Sequence, residues 1–176
     1  MAGRMTRGAA RAGMVLVLLG LTGCSAGGAG AAQNRSPEQV ATDFVPLAES
    51  VVAATGTAGW TFEDSRPWAA GDIGGLRGQA CTGLPGKHTL QLLLLGQPVA
   101  DAEAAVAAMR KHLEEHDFTI SGQFTPDSAG AEFTVSGQRP DGAAVDYRAS
   151  VAGQTLDLES ECSAAIELNQ NVPVGP

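Results

Sequence analysis

The chain has 176 residues, with 11 Lys or Arg against 19 Asp or Glu, a formal net charge of −8 and a mean hydropathy close to zero. An acidic chain without clustered basic residues is a poor match for a polyanion, which argues against nucleic acid as a partner and against charge-driven recruitment to an anionic membrane surface. Past the first two dozen residues the longest apolar run is residues 104–109, far short of a bilayer span.

The N-terminus reads as a leader. Arg4, Arg7 and Arg11 precede a brief apolar run at residues 14–21 and then small residues, the order of a secretory signal whose apolar part is too short to cross a membrane as a helix. Leu21-Thr22-Gly23-Cys24 closes it and resembles the lipobox of bacterial lipoproteins. The resemblance implies a signal peptide over residues 1–23, cleavage just before Cys24, and a diacylglyceryl and palmitate type of anchor on that cysteine. An ordinary secreted chain with a chance cysteine is the competing reading. The leader holds three basic residues and no acid, so the chain from Cys24 onward carries a net charge of −11.

Residues 24–35, rich in Gly and Ala, predict a flexible tether. A single domain is expected over residues 36–170, followed by a tail at 171–176. Ser36-Pro37-Glu38-Gln39 matches a capping box with proline at the first helical position. Val40, Phe44, Leu47, Val51 and Ala54 then recur at helical spacing, Gly56 is a stop, and Pro46 predicts a kink or break near residues 42–46. Residues 60–63 alternate as a first strand. Residues 66–86, with Gly71, Gly74, Gly75 and Gly78, read as a long loop, and Trp68 as a ring folded over the core edge. Residues 88–95 predict a central strand, Leu90, Leu92 and Leu94 on one face and Leu93 and Leu95 on the other, covered on both sides toward its end.

Pro98 ends that strand, and a second helix is expected over residues 99–116 with Val99, Ala102, Val106, Met109 and Leu113 as its buried stripe. The period then becomes two. Phe118 and Ile120, Phe133 and Val135, Val145, Tyr147, Ala149 and Val151, then Leu156, Leu158 and Cys162 take inward positions, the pattern of a four-stranded antiparallel meander. Parity predicts a two-residue turn at Ala152-Gly153, placing Ala149 opposite Leu156, and a three-residue turn at Pro140-Asp141-Gly142, placing Val135 opposite Tyr147. With Cys24 assigned to lipid, Cys81 and Cys162 remain; in an exported domain they read as one disulfide, with two free buried thiols as the alternative. The fold class is therefore α+β, a mainly antiparallel sheet packed by two helices and stapled once. In order of elements and in its two cysteines the chain resembles small actinobacterial lipoproteins, LppA-like or uncharacterised. That resemblance implies an envelope domain and carries over no catalytic residue.

Candidate chemistry is sparse. His112-Leu113-Glu114-Glu115-His116 contains the His-x-x-Glu-His pattern of inverted zinc peptidases, with His112 and His116 as ligands and Glu115 as base, but it falls in the last turn of an exposed helix in a small domain. No Gly-x-Ser-x-Gly or Ser-x-x-Lys occurs, and Glu63-Asp64 and Glu114-Glu115 read as solvated surface pairs. No catalytic residue, metal or cofactor is assigned. The outward side of the last strand is more informative: Asp157, Glu159 and Glu161 fall at alternate positions, with Arg148 expected opposite Asp157 and Asp146 opposite Glu159. A basic partner would suit that stripe, against the plainer account of a solvated sheet face. The expectation is a membrane-anchored lipoprotein on the extracytoplasmic face of a bacterial cell membrane, acting as a non-catalytic binding or accessory module with an envelope protein as its possible partner. The alternatives are a carrier with an internal apolar cavity and, third, a zinc-dependent hydrolase.

Overall fold

The computed structural model of the chain describes residues 35–72, 76–128 and 130–167. Leu21-Thr22-Gly23-Cys24, the tether up to residue 34 and the tail at 171–176 lie outside the described residues. The fold is α+β: helix α1 (Pro37–Ala54), strands β1 (Arg77–Ala80) and β2 (His88–Gly96), helix α2 (Ala102–Glu115), then β3 (Thr119–Phe124), β4 (Phe133–Gln138), β5 (Ala144–Ala149) and β6 (Gln154–Glu159). All strand pairs are antiparallel, in the order β1-β2-β6-β5-β4-β3. The meander is thus β3 to β6, and it closes onto β2 to give six strands, not four.

The helices obey their local signals. Ser36 and Gln39 cap each other's backbone reciprocally, and Gly56 takes a positive φ of 66° just past the end of α1. Of the kink or break expected near residues 42–46, the break does not occur: α1 runs as one helix through Pro46. The stripe that binds it to the core, Val40, Phe44, Ala48 and Val51, continues on both sides of the proline and outweighs one missing backbone hydrogen bond. α2 starts three residues later than expected, because Asp101 caps the Ala104 amide and the Val99 amide is bonded to the Ser150 carbonyl instead.

Both helices cover one face of the sheet. Leu90, Leu92, Leu94, Val135, Val145, Tyr147, Leu156 and Leu158 from the strands meet Val40, Phe44, Val51, Val106, Met109 and Leu113 in one buried cluster. Within it the Tyr147 hydroxyl donates to Gln154, whose amide donates to the Gln97 carbonyl and to Thr57. Burial pushes the Tyr147 phenol up to about 12, so it remains a neutral donor. Among the described residues no helix lies on the opposite face, and Leu95, expected to be covered, is 41% exposed.

Residues 60–63 do not form the first strand. Thr61 makes isolated bridges to Leu95 and Pro67, and the chain then doubles back through Ser65, at positive φ, so that Trp68 donates to the Trp60 carbonyl. The first strand is β1, inside the stretch read as loop. It is a short, exposed edge strand with no apolar alternation, so periodicity cannot reveal it; pairing with β2 and the cysteine that follows it hold it in place. Trp60 is buried over Gly96, where an added Cβ would stand 2.8 Å from the ring. Gly96→Ala is therefore expected to displace the ring and lower unfolding free energy by about 1–2 kcal/mol in urea titrations, with Trp fluorescence shifting to the red in the native state.

The Cys81–Cys162 disulfide is present, spanning 81 residues with Cα atoms 6.2 Å apart. It gathers three chain segments at one end of the sheet: the β1–β2 loop, the β4–β5 turn and the segment after β6. Gly142 has φ 98°, and a Cβ there would lie 2.6 Å from the Cys162 sulfur, so this turn position admits only glycine.

Candidate binding face

The helix-free face is built from residues at alternate positions of each strand, and pairing sets which of them meet. Val135 stands opposite Tyr147 across β4 and β5, as parity requires, and Arg139 and Ala143 close the three-residue turn between them. The β5–β6 register differs from expectation. The Ser150 amide donates to the Gly153 carbonyl while the Ser150 hydroxyl accepts from Ala152, which centres the turn on Val151-Ala152 instead of Ala152-Gly153. Val151, expected inward, is consequently 57% exposed at the tip. Moving the tip by one residue moves every partner by two: Ala149 faces Gln154, Arg148 faces Thr155, Asp146 faces Asp157, and Glu159 faces Ala144.

One row across the sheet therefore reads Leu93, Asp157, Asp146, Ser136 and Gly122. Two carboxylates are directly opposed at its centre, an arrangement that costs stability. Arg148 makes no ion pair with Asp157, although its charge still favours that carboxylate; it pairs along its own strand with Asp146 at 2.7 Å, while Ser136 donates to the other Asp146 oxygen at 2.6 Å. Asp157 accepts both hydrogen bonds it receives from the Gln91 amide, at 2.8 and 3.1 Å. Desolvation, opposed by Gln91 and reinforced by Asp146, raises the Asp157 pKa. Glu159 is next to Gln91 in register but finds that amide already engaged. It has no hydrogen bond or ion pair among the described residues, and burial followed by the Asp157 charge raises its pKa too.

Glu161 does not continue this row. β6 ends at Glu159, and the Glu161 side chain, 14% exposed, meets Arg35 at 3.1 Å beside α1, where Arg35 also holds Asp43 at 2.6 Å. Its second oxygen is buried without a partner, and burial raises its pKa against the opposing pull of Arg35. Arg35, the last residue allotted to the tether, is thus fastened to the domain, with its carbonyl accepting from Ser163 as well.

A half-open groove of about 310 Å³ lies over this face. Asp146, Asp157 and Glu159 line it between Thr82 and Leu84 of the β1–β2 loop and Ser121 of β3, which is the extra residue of a bulge between Ile120 and Gly122. The sequence signals for Asp157 and Glu159 lead to this groove. Gln91 and Leu84 were missed, although Gln91 is the lone amide within the apolar run of β2 and so had a signal.

The histidine motif is arranged otherwise. The His112 Nε2 lies 3.3 Å from the Ser50 hydroxyl on α1, the His116 Nδ1 is bonded to the His112 carbonyl, and Glu115 pairs with Lys111. Burial, then the neighbouring His116, lowers the His112 pKa, so at neutral pH it is an uncharged hydrogen-bonding group between two helices. Among the described residues no group of three or more His, Cys, Asp or Glu is placed to hold a metal ion, and no helix is long and apolar enough to cross a membrane. The chain matches no protein-family model, and no curated protein or solved structure is significantly similar to it.

Proposed function

We propose that this chain is a lipid-anchored protein of the bacterial cell envelope, held through Cys24 on the extracytoplasmic face of the cell membrane, whose domain is a non-catalytic binding module that meets a basic protein partner through the helix-free face of its sheet. The anchor rests on the sequence Leu21-Thr22-Gly23-Cys24 behind its basic and apolar leader, and a stable disulfide is in keeping with an exported domain. The binding reading is carried by one observation: Asp146 and Asp157 oppose each other, with Glu159 unpaired beside them, in a groove of suitable size for a side chain. Like charges placed together in partial burial cost stability, and a cation arriving from a partner offsets that cost.

The two halves have separate tests. Cys24→Ala should leave an unprocessed precursor that takes up no acyl label in living cells; normal labelling would remove the anchor. For the face, binding of a fluorescent Lys-Gly repeat peptide to the full chain should saturate and weaken as salt rises, and reversing charge at Asp157 and Glu159 should abolish it while circular dichroism stays native. Unchanged binding in the reversed variant, or its loss only on replacing His112 and His116, would move the site elsewhere.

A further inference from the structure

The β1–β2 loop brings one large exposed aliphatic side chain to the rim of a groove in which Asp146, Asp157 and Glu159 stand among small residues such as Gly137, Ala144 and Ser136. Its backbone is closed by the Cys81 amide on the Lys87 carbonyl and the Lys87 amide on the Leu84 carbonyl, with Gly83 and Gly86 both at positive φ. Leu84 at its tip is 40% exposed, yet it lines the same groove as Asp146, Asp157 and Glu159. A glycine-rich loop on a four-residue edge strand has little to fix it. Here its first residue is bonded through sulfur to Cys162, three residues beyond Glu159, and Cys162 is itself backed by the Gly142 turn and by its amide on the Asp141 carbonyl. The bridge therefore sets the base of the Leu84 loop relative to the strand that carries the carboxylates.

We infer that Leu84 is a specificity-determining contact, and that Cys81 and Cys162 are its positioning residues: the groove selects a protein segment in which a lysine or arginine is flanked by an aliphatic side chain. The carboxylates alone draw any cation. A rim leucine held at a set place adds binding only for a cation with an apolar neighbour, which discriminates a hydrophobic basic segment from small amines and from purely polar basic chains. This inference rests on the reading of the helix-free face as the binding surface.

Two peptide probes separate the claims, one repeating Lys-Gly and one repeating Lys-Leu-Gly, each titrated against the full chain and its variants. Wild type should bind the leucine-bearing probe about fivefold more tightly, the order expected from burying part of one aliphatic side chain. Leu84→Ser should erase that preference and keep the affinity for Lys-Gly, at unchanged melting temperature. Replacing Cys81 and Cys162 together by serine should also erase the preference, in protein shown to be folded at the assay temperature. A preference that survives Leu84→Ser overturns the inference and leaves the binding face standing. If neither probe binds wild type, or charge reversal at Asp157 and Glu159 changes nothing, the face itself fails and the inference with it.

Discussion

Replacing Cys81 and Cys162 together by serine should lower the unfolding free energy by about 3 kcal/mol. Closing a loop of 81 residues removes roughly 4 to 5 kcal/mol of chain entropy from the unfolded state, and residual structure in that state reduces the gain. The loss should also be uneven in space. β1 has one neighbouring strand, four residue pairs with β2, and a largely exposed surface, so without the bridge its amides should exchange hydrogen much faster than those of β5 and β6, which are paired on both sides. Urea titration and exchange mass spectrometry read the two effects independently. A destabilisation below about 1 kcal/mol, or uniform exchange across the sheet, would mean that the core holds β1 without help.

That division between a self-sufficient core and a stapled edge also governs what was legible beforehand. Wherever one face of an element is buried by many apolar side chains, periodicity found it: the α1 stripe from Val40 to Val51, the leucines of β2, the α2 stripe through Met109 and Leu113, and the inward rows of β4, β5 and β6. β1 escaped because an edge strand of Arg, Gly, Gln and Ala buries almost nothing, and its order comes from partners distant in sequence. The break expected at Pro46 failed for the complementary reason, since tertiary packing along α1 overrides a local penalty.

The binding face was legible in composition and not in arrangement. Alternation identifies Asp157 and Glu159 as outward, but inward and outward parity is the same for two registers that differ by two residues, so parity alone cannot choose Asp146 or Arg148 as the partner of Asp157. The choice is made by the Ser150 hydroxyl, one side chain in the turn, and it replaces an expected ion pair with two opposed carboxylates. Glu161 was misplaced because alternation was extended past the end of β6, where the chain turns toward Arg35. The difference in register bears directly on function, for in the one that occurs Arg148 serves Asp146 and leaves Asp157 and Glu159 without an ion pair.

Neutralising Asp157 and Glu159 together, as Asp157→Asn with Glu159→Gln, should produce opposite effects on binding and on stability. Affinity for the lysine probes should fall at least about tenfold, since two charge-assisted contacts disappear. Stability at neutral pH should rise, by about 0.5–1 kcal/mol for relief of the opposed pair, because Asn keeps an oxygen for the Gln91 amide and no longer repels Asp146. The pH dependence follows from the sign of the shifts. Both carboxyls have folded pKa values above their ordinary ones, so the native state takes up protons before the unfolded chain does as pH falls. Their cost is thus full at neutral pH, shrinks as pH drops through the folded values, and is gone below the ordinary carboxylate range near 4. The stabilisation of the variant over wild type should fade across that same window. His112 works in the other direction: its lowered pKa means that the unfolded chain binds the proton first, so both proteins lose stability alike as pH falls through the ordinary histidine range. Comparing variant with wild type cancels the histidine contribution and isolates the carboxylates. A variant less stable than wild type at pH 7, or a difference that grows on acidification, would show that Asp157 and Glu159 hold the sheet together through contacts that outweigh their repulsion, and would remove the physical ground for assigning them to a partner.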